Sequence, residues 1–177
     1  MFLRALTSLF SPPRFQEESH RLYTQLVEAA RQPEFYRDYG VADTLDGRFD
    51  MITLHMFLVS ERLKKDGSGE ALEFLRALTE VFFADMDRSL REMGSTDTGV
   101  GKRIKKMSQA FYGRLLSYQS ACNDEAKLQE SLVRNLYRGD NTQLAHAMAM
   151  AAYVQNARTL LTQQSLSQLV AGDIAFS

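Results

Sequence analysis

Residues 82–107, FFADMDRSLREMGSTDTGVGKRIKKM, set two ligand-binding patterns side by side. Asp85, Asp87 and Ser89 repeat at the spacing with which a calcium loop offers oxygen ligands, and Gly101-Lys102 resembles the end of a phosphate-cradling turn. Neither pattern is complete. A calcium loop starting at Asp85 needs glycine at its sixth position and a bidentate glutamate at its twelfth, where Leu90 and Thr96 stand. The run also continues a helical apolar stripe, and a helix cannot wrap its side chains around one ion. In the phosphate pattern, the separation of Gly94 from Gly101 is too long, Arg103 replaces the required hydroxyl, and a helix rather than a strand comes first.

Other reactive constellations are equally sparse. His20, His55 and His146 fall on three different predicted helices with no cysteine near them, so zinc-ligand spacing is absent. Glu17-x-x-His20 is half of the paired signature that a di-iron bundle uses, and no second Glu-x-x-His occurs. His55, beside Met51 and Met56, reads as a hydrogen-bonded histidine of the core rather than a ligand. Cys122 reads as a small buried thiol. No serine or cysteine stands in a recognisable nucleophile–base arrangement. The sequence therefore assigns no catalytic, metal or cofactor residue.

What remains in 82–107 is a joint between two helices with opposite charges on its arms. Asp85, Asp87 and Glu92 sit towards a helix C-terminus, and Lys102, Arg103, Lys105 and Lys106 sit in the first turns of the next helix. Both placements oppose the helix dipole. Ion pairing across the joint, or a partner docked on it, would offset that.

The elements that must position these residues are helical throughout. The chain has 177 residues, 45% hydrophobic and 24% charged, with a net charge of -1. It can bury one core, and it lacks the basic excess of a protein that binds DNA. A single cysteine excludes an internal disulfide. Residues 1–13 form an apolar segment, MFLRALTSLF before Pro12-Pro13, suited to dock on the domain or to lie in a membrane interface. The only prolines are at 12, 13 and 33, and apolar residues recur at steps of three and four. The spacing predicts helices over 15–31, from 44 or 46 to 65, 70–93, from about 99 to 122, a shorter one after Asp124, and 142–164. The residues 32–40 read as an aromatic connector, DGSG at 66–69 as a loop, and 166–177 as a loosely held tail. An all-α fold follows, an irregular bundle of about six helices with one domain over 14–165. Asp43 or Asp46 is expected to cap the second helix, Gly47 to allow a tight turn, and Gly113 to mark a close helix crossing.

Three segments, YGVADTLDGRFDMITLHMFLVSERL, FFADMDRSLREMG and GVGKRIKKMSQAFYGRLLSY, together resemble the ubiquinol-cytochrome c chaperone family over about residues 20–120. The resemblance implies an all-helical, non-enzymatic assembly factor of the cytochrome bc1 complex, complex III of the respiratory chain. In mitochondria such a factor binds newly made cytochrome b near the ribosomal tunnel exit together with a small helper protein. The lack of a long presequence points to a bacterial, cytoplasm-facing version, peripheral at the inner face of the membrane, in preference to the mitochondrial matrix.

An apolar client held without nucleotide needs an adaptable apolar groove between helices. Met51, Met56, Met86, Met93 and Met107 suit one because thioethers are flexible and polarizable, while most of the eight methionines are expected in the core. The candidate client or partner residues are Arg48, Phe49, Met51, His55, Asp85, Asp87, Arg91, Lys102, Lys105, Lys106, Met107, Phe111, Tyr112 and Arg114. Arg48 and Asp50 are expected to pair locally or to meet Asp85 or Asp87. The basic arm Lys102–Lys106 could also touch ribosomal RNA or anionic lipid. Two other readings stay open at this point: a membrane-surface adaptor that recruits another protein through residues 1–13 and the basic arm, and a metal-dependent helical enzyme.

Overall fold

The computed structural model describes residues 15–92, 94 and 97–177. The apolar segment 1–13 and Met93 lie outside the described residues. Eight α-helices follow one another among the described residues: α1 Gln16–Ala30, α2 Pro33–Arg37, α3 Leu45–Asp66, α4 Gly69–Glu92, α5 Asp97–Ala121, α6 Glu125–Asn135, α7 Leu144–Gln163 and α8 Leu166–Ala171. A 3-10 turn, Asn141–Gln143, leads into α7. No strand occurs among the described residues, so the fold is all-α, as the three-and-four periodicity predicts.

The bundle is organised around α3. This helix packs against α1, α4, α5 and α7, and every residue from Asp50 to Ser60 is buried. A helix apolar on all sides belongs in the middle of a bundle, and ITLHMFLVS supplies that character. One stripe, Phe49, Ile52, Met56, Val59 and Leu63, is what the periodicity picks out, but it covers only part of the buried surface. Around α3, the other helices keep true amphipathic faces. Leu22 and Leu26 of α1, Leu78 and Phe82 of α4, Phe111 and Tyr118 of α5, Leu128 and Leu132 of α6, and Ala147, Met150 and Val154 of α7 are all buried. Each large apolar side chain so placed contributes about 1.5–3 kcal/mol.

Local chemistry sets the helix ends. Pro33 occupies the first turn of α2, where its missing N–H costs nothing, so part of the expected connector is a short helix. Thr44 caps α3, its hydroxyl accepting from the Gly47 N–H at 3.1 Å. The cap is thus the threonine and not Asp43 or Asp46, because its short side chain reaches the third amide from an extended backbone. Asp124 caps α6 in the same way. The tail after Ser165, expected to be loose, is docked: Ser165 and Gln168 form a capping box, Leu169 and Phe176 are buried, and Arg21 donates to the Ala171 carbonyl.

Two glycines separate by environment. A Cβ on Gly47 would lie 2.0 Å from the Ala42 carbonyl oxygen, whereas one on Gly113 meets nothing within 4 Å. Gly113 is exposed on α5 and marks no helix crossing; nothing in the structure explains it. Gly47→Ala is expected to destabilise the fold by about 2 kcal/mol or more, because the obstructing atom is backbone. Gly113→Ala should instead stabilise it by about 0.5–1 kcal/mol. Urea denaturation of the two variants beside the parent checks both signs.

Candidate client and partner surfaces

Directional contacts tie the neighbouring helices to α3. Near its start, Asp50 is wholly buried and meets two guanidiniums, Arg114 of α5 at 2.8 Å and Arg138 of the turn after α6 at 2.9 Å. Arg138 adopts a left-handed backbone (φ 59°) that non-glycine residues rarely take, and the bond to Asp50 helps hold it there. Arg114 meets Oδ1 as an ion pair without hydrogen-bond alignment, and its Nε finds no partner. Desolvation outweighs both cations and raises the Asp50 carboxyl to about 6.

One and a half turns further on, His55 is also fully buried. Its Nδ1–H donates to the Met51 carbonyl at 2.9 Å, so Nε2 is the acceptor for the Tyr153 hydroxyl of α7 at 2.7 Å. Burial lowers the imidazole to about 4. Towards the C-terminal end of α3, Glu61 takes a two-pronged contact from Arg158 of α7 at 2.6 and 2.7 Å, and Arg158 also donates to the Cys122 carbonyl. The Cys122 thiol is buried and raised, first by desolvation and then by Glu61.

The predicted site residues divide between core and surface. Met51, Met56 and Met86 are buried, as is His55, so these methionines fill the centre of the bundle and form no groove; Met107 is half-buried. Arg48 is exposed and pairs with Asp43 at 2.8 Å, not with Asp50, Asp85 or Asp87, since it leaves α3 on the side facing its own loop. Asp85 accepts from the Tyr23 hydroxyl at 2.9 Å and from Arg88 one turn on. Asp87 pairs with Arg91 at 2.7 Å. The two aspartates of the calcium-like run therefore serve separate partners within a continuous helix.

An aromatic seam does form where α3, α4 and α5 meet. Phe111 stacks on Phe82 with centroids 4.6 Å apart, and Phe49 lies 6.2 Å from Phe82 with the Arg114 guanidinium 5.7 Å above it. Phe83 continues the seam outward to Tyr112, which is 51% exposed. Lys102, Lys105 and Lys106 stand exposed along the same α5. Sequence reasoning missed Arg138 and Phe83, and it missed the exposed Leu116, Leu144 and Met148. For the last three the signal was present: Leu116 breaks the polar outer face of α5, and Leu144 and Met148 belong to a run of α7 with more apolar residues than one buried face can take.

Fold and surface together define an all-α bundle with a basic and aromatic outward face on α5 and an aliphatic one on α7. The chain belongs to the ubiquinol-cytochrome C chaperone family, whose family model matches residues 37–176, a span that runs well beyond the resembling core of 20–120 and includes the docked tail. Among similar proteins, ubiquinol-cytochrome c reductase complex assembly factor 1 of Drosophila melanogaster is 24% identical over 162 residues, covering 89% of this chain and 62% of the relative. The Homo sapiens protein of that name is 26% identical over 137 residues, covering 76% and 45%. The chain thus spans about three fifths or less of the length of these curated relatives. Its fold is similar to the crystal structure of the Cbp3 homolog from Brucella abortus, with a TM-score of 0.81 and 37% identity over 100% of this chain and 97% of that one.

The buried Asp50 and His55 give opposite pH dependences. Asp50, raised from 3.8 to about 6, binds its proton more tightly when folded, so it adds stability as pH falls from 6 towards 4. His55, lowered from 6.5 to about 4, binds its proton more tightly when unfolded, so it removes stability over nearly the same window. Each effect reaches about 3 kcal/mol at most, and the parent should change little between pH 6.5 and 4. Asp50→Asn should lose stability steeply on acidification there, and His55→Gln should gain it, read from urea midpoints at several pH values.

Proposed function

We propose that this protein is a non-enzymatic chaperone for assembly of the cytochrome bc1 complex, holding newly made cytochrome b or another apolar subunit until it is incorporated. The observation that carries the reading is the family match over residues 37–176, joined by relatives named as ubiquinol-cytochrome c reductase complex assembly factors. The disposition of reactive groups supports binding over catalysis. His20 bonds Gln16, His55 bonds Met51 and Tyr153, and His146 bonds Gln143, each apart from the others.

The client surface in this proposal is the outward face of α7. Between Leu144 and Ala157 that helix carries no Asp, Glu, Lys or Arg. Leu144 and Met148, 49% and 51% exposed, share the face with exposed Ala145, Ala149 and Ala152. Small residues let another helix approach closely, and methionine adapts to its shape. An uncharged face also spares an apolar client the cost of desolvating ions. No described helix is long and apolar enough to cross a membrane, and we place the protein at the cytoplasmic side of a bacterial membrane, where such a client is made.

Deleting the gene should lower assembled bc1 complex several-fold on native gels, with restoration by the parent gene. A Leu144→Glu/Met148→Glu variant, both positions already exposed, should fold normally and fail to restore it. Undiminished complex after deletion removes the chaperone reading; full rescue by the double variant removes only the α7 face.

A further inference from the structure

The outer face of α5 touches the aromatic core only through Tyr112, whose ring lies 5.1 Å from that of Phe111, and it is not needed for the client face just described. At 100° per residue, Lys102, Lys105, Lys106, Gln109, Tyr112, Gly113 and Leu116 fall within an arc of about 120°, and the rise of 1.5 Å per residue spreads them over about 21 Å. All of them are exposed. Leu116 is 67% exposed and Tyr112 51%, an unusual outlay of apolar surface on a helix whose opposite side is buried through Phe111 and Tyr118. From Thr98 to Ala121 the helix has no acidic residue. Arg134 of α6, itself exposed, donates to Ser117 at 3.0 Å and adds a cation next to α5.

From this we propose that α5 is a docking face for anionic phospholipid, with Lys102, Lys105 and Lys106 at the headgroup phosphates and Tyr112 and Leu116 entering the interface. Charge sign selects an anionic occupant. The two apolar side chains select among anionic surfaces: Tyr112 could stack on an RNA base, but Leu116 gains nothing from a phosphate backbone, whereas both are suited to the boundary between headgroups and acyl chains. The shape agrees, since a single row of side chains along one helix meets a flat sheet more readily than it encloses a peptide. Lysines near such a surface contribute about fivefold each in partition, so three give about 100-fold, and screening by salt should erase most of it.

Flotation of the full chain with vesicles tests this. The chain should float with phosphatidylcholine vesicles containing phosphatidylglycerol and stay down with phosphatidylcholine alone. Lys102→Glu/Lys105→Glu/Lys106→Glu should lower the partition by about 100-fold or more, since it replaces attraction with repulsion. Tyr112→Ser/Leu116→Ser should remove the binding that survives in high salt, and a chain lacking residues 1–13 should still float. Circular dichroism melts confirm that the variants fold. Parent-like flotation of the triple-glutamate variant would overturn the proposal, as would loss of flotation on removing residues 1–13. Retention of the parent by structured RNA without binding to either vesicle would also overturn it. Neither vesicle result depends on bc1 assembly.

Discussion

The structure depends on one helix having no outside. Between Asp50 and Ser60, α3 is enclosed on every face, and water cannot satisfy any polar atom it carries. Hydrophobic burial supplies most of the stability, but it is non-directional and would accept many rotations of the surrounding helices. Polar groups on α3 accept few. Asp50 is met by Arg114 of α5, His55 by Tyr153 of α7, and Glu61 by Arg158 of α7. An unpaired buried polar group costs about 1–3 kcal/mol, so a slip of either helix along α3 would be penalised at these points.

A consequence appears on the surface. With most methionines and phenylalanines drawn inward, six large apolar side chains are exposed among the described residues: Leu45 and Leu72 singly, and Tyr112, Leu116, Leu144 and Met148 in pairs on α5 and α7, the two helices registered to α3 by polar contacts. Their outward faces differ in character. α5 offers cations with a tyrosine and a leucine, and α7 offers alanines, a leucine and a methionine without formal charge. The polar contacts to α3 thus hold two chemically distinct outward faces in a fixed relation to each other.

Most of the fold was legible in the sequence because helices announce themselves by period, and Pro33, Gly94 and the Asn123-Asp124 break punctuate them. The tail was misread because its polar composition hides two anchors, Leu169 and Phe176, too few to make a pattern. The functional surface was harder to read. A methionine at helical spacing looks the same whether it faces a core or a groove; Met51 and Met56 face the core because α3 is surrounded, a property of the neighbours and not of the helix, and Met86 lies on the inward face of α4. Asp50 was visible, yet its partners, at 114 and 138, lie far along the chain, and nothing local points to them. The outward apolar residues could have been found by looking for what each helix exposes instead of what it buries.

The titratable groups also bear on what kind of chemistry this surface can do. A catalytic group needs a shifted proton affinity and access to a substrate together. The surface carboxylates with shifted affinities, Asp38, Asp66, Asp124 and Asp140, owe them to hydrogen bonds from their immediate neighbours, and the core groups have a shift without access. Asp50, His55, Tyr118 and Cys122 are shifted, and burial is the first cause in each; all four are shut away from solvent. Asp50 is covered by two arginines, and His55 has both ring nitrogens engaged. Their shifts are the thermodynamic mark of polar groups enclosed for positioning. The side chains that do reach solvent on α5 and α7 carry charge, hydrocarbon and aromatic surface, and what either face can bind is set by where those groups are displayed.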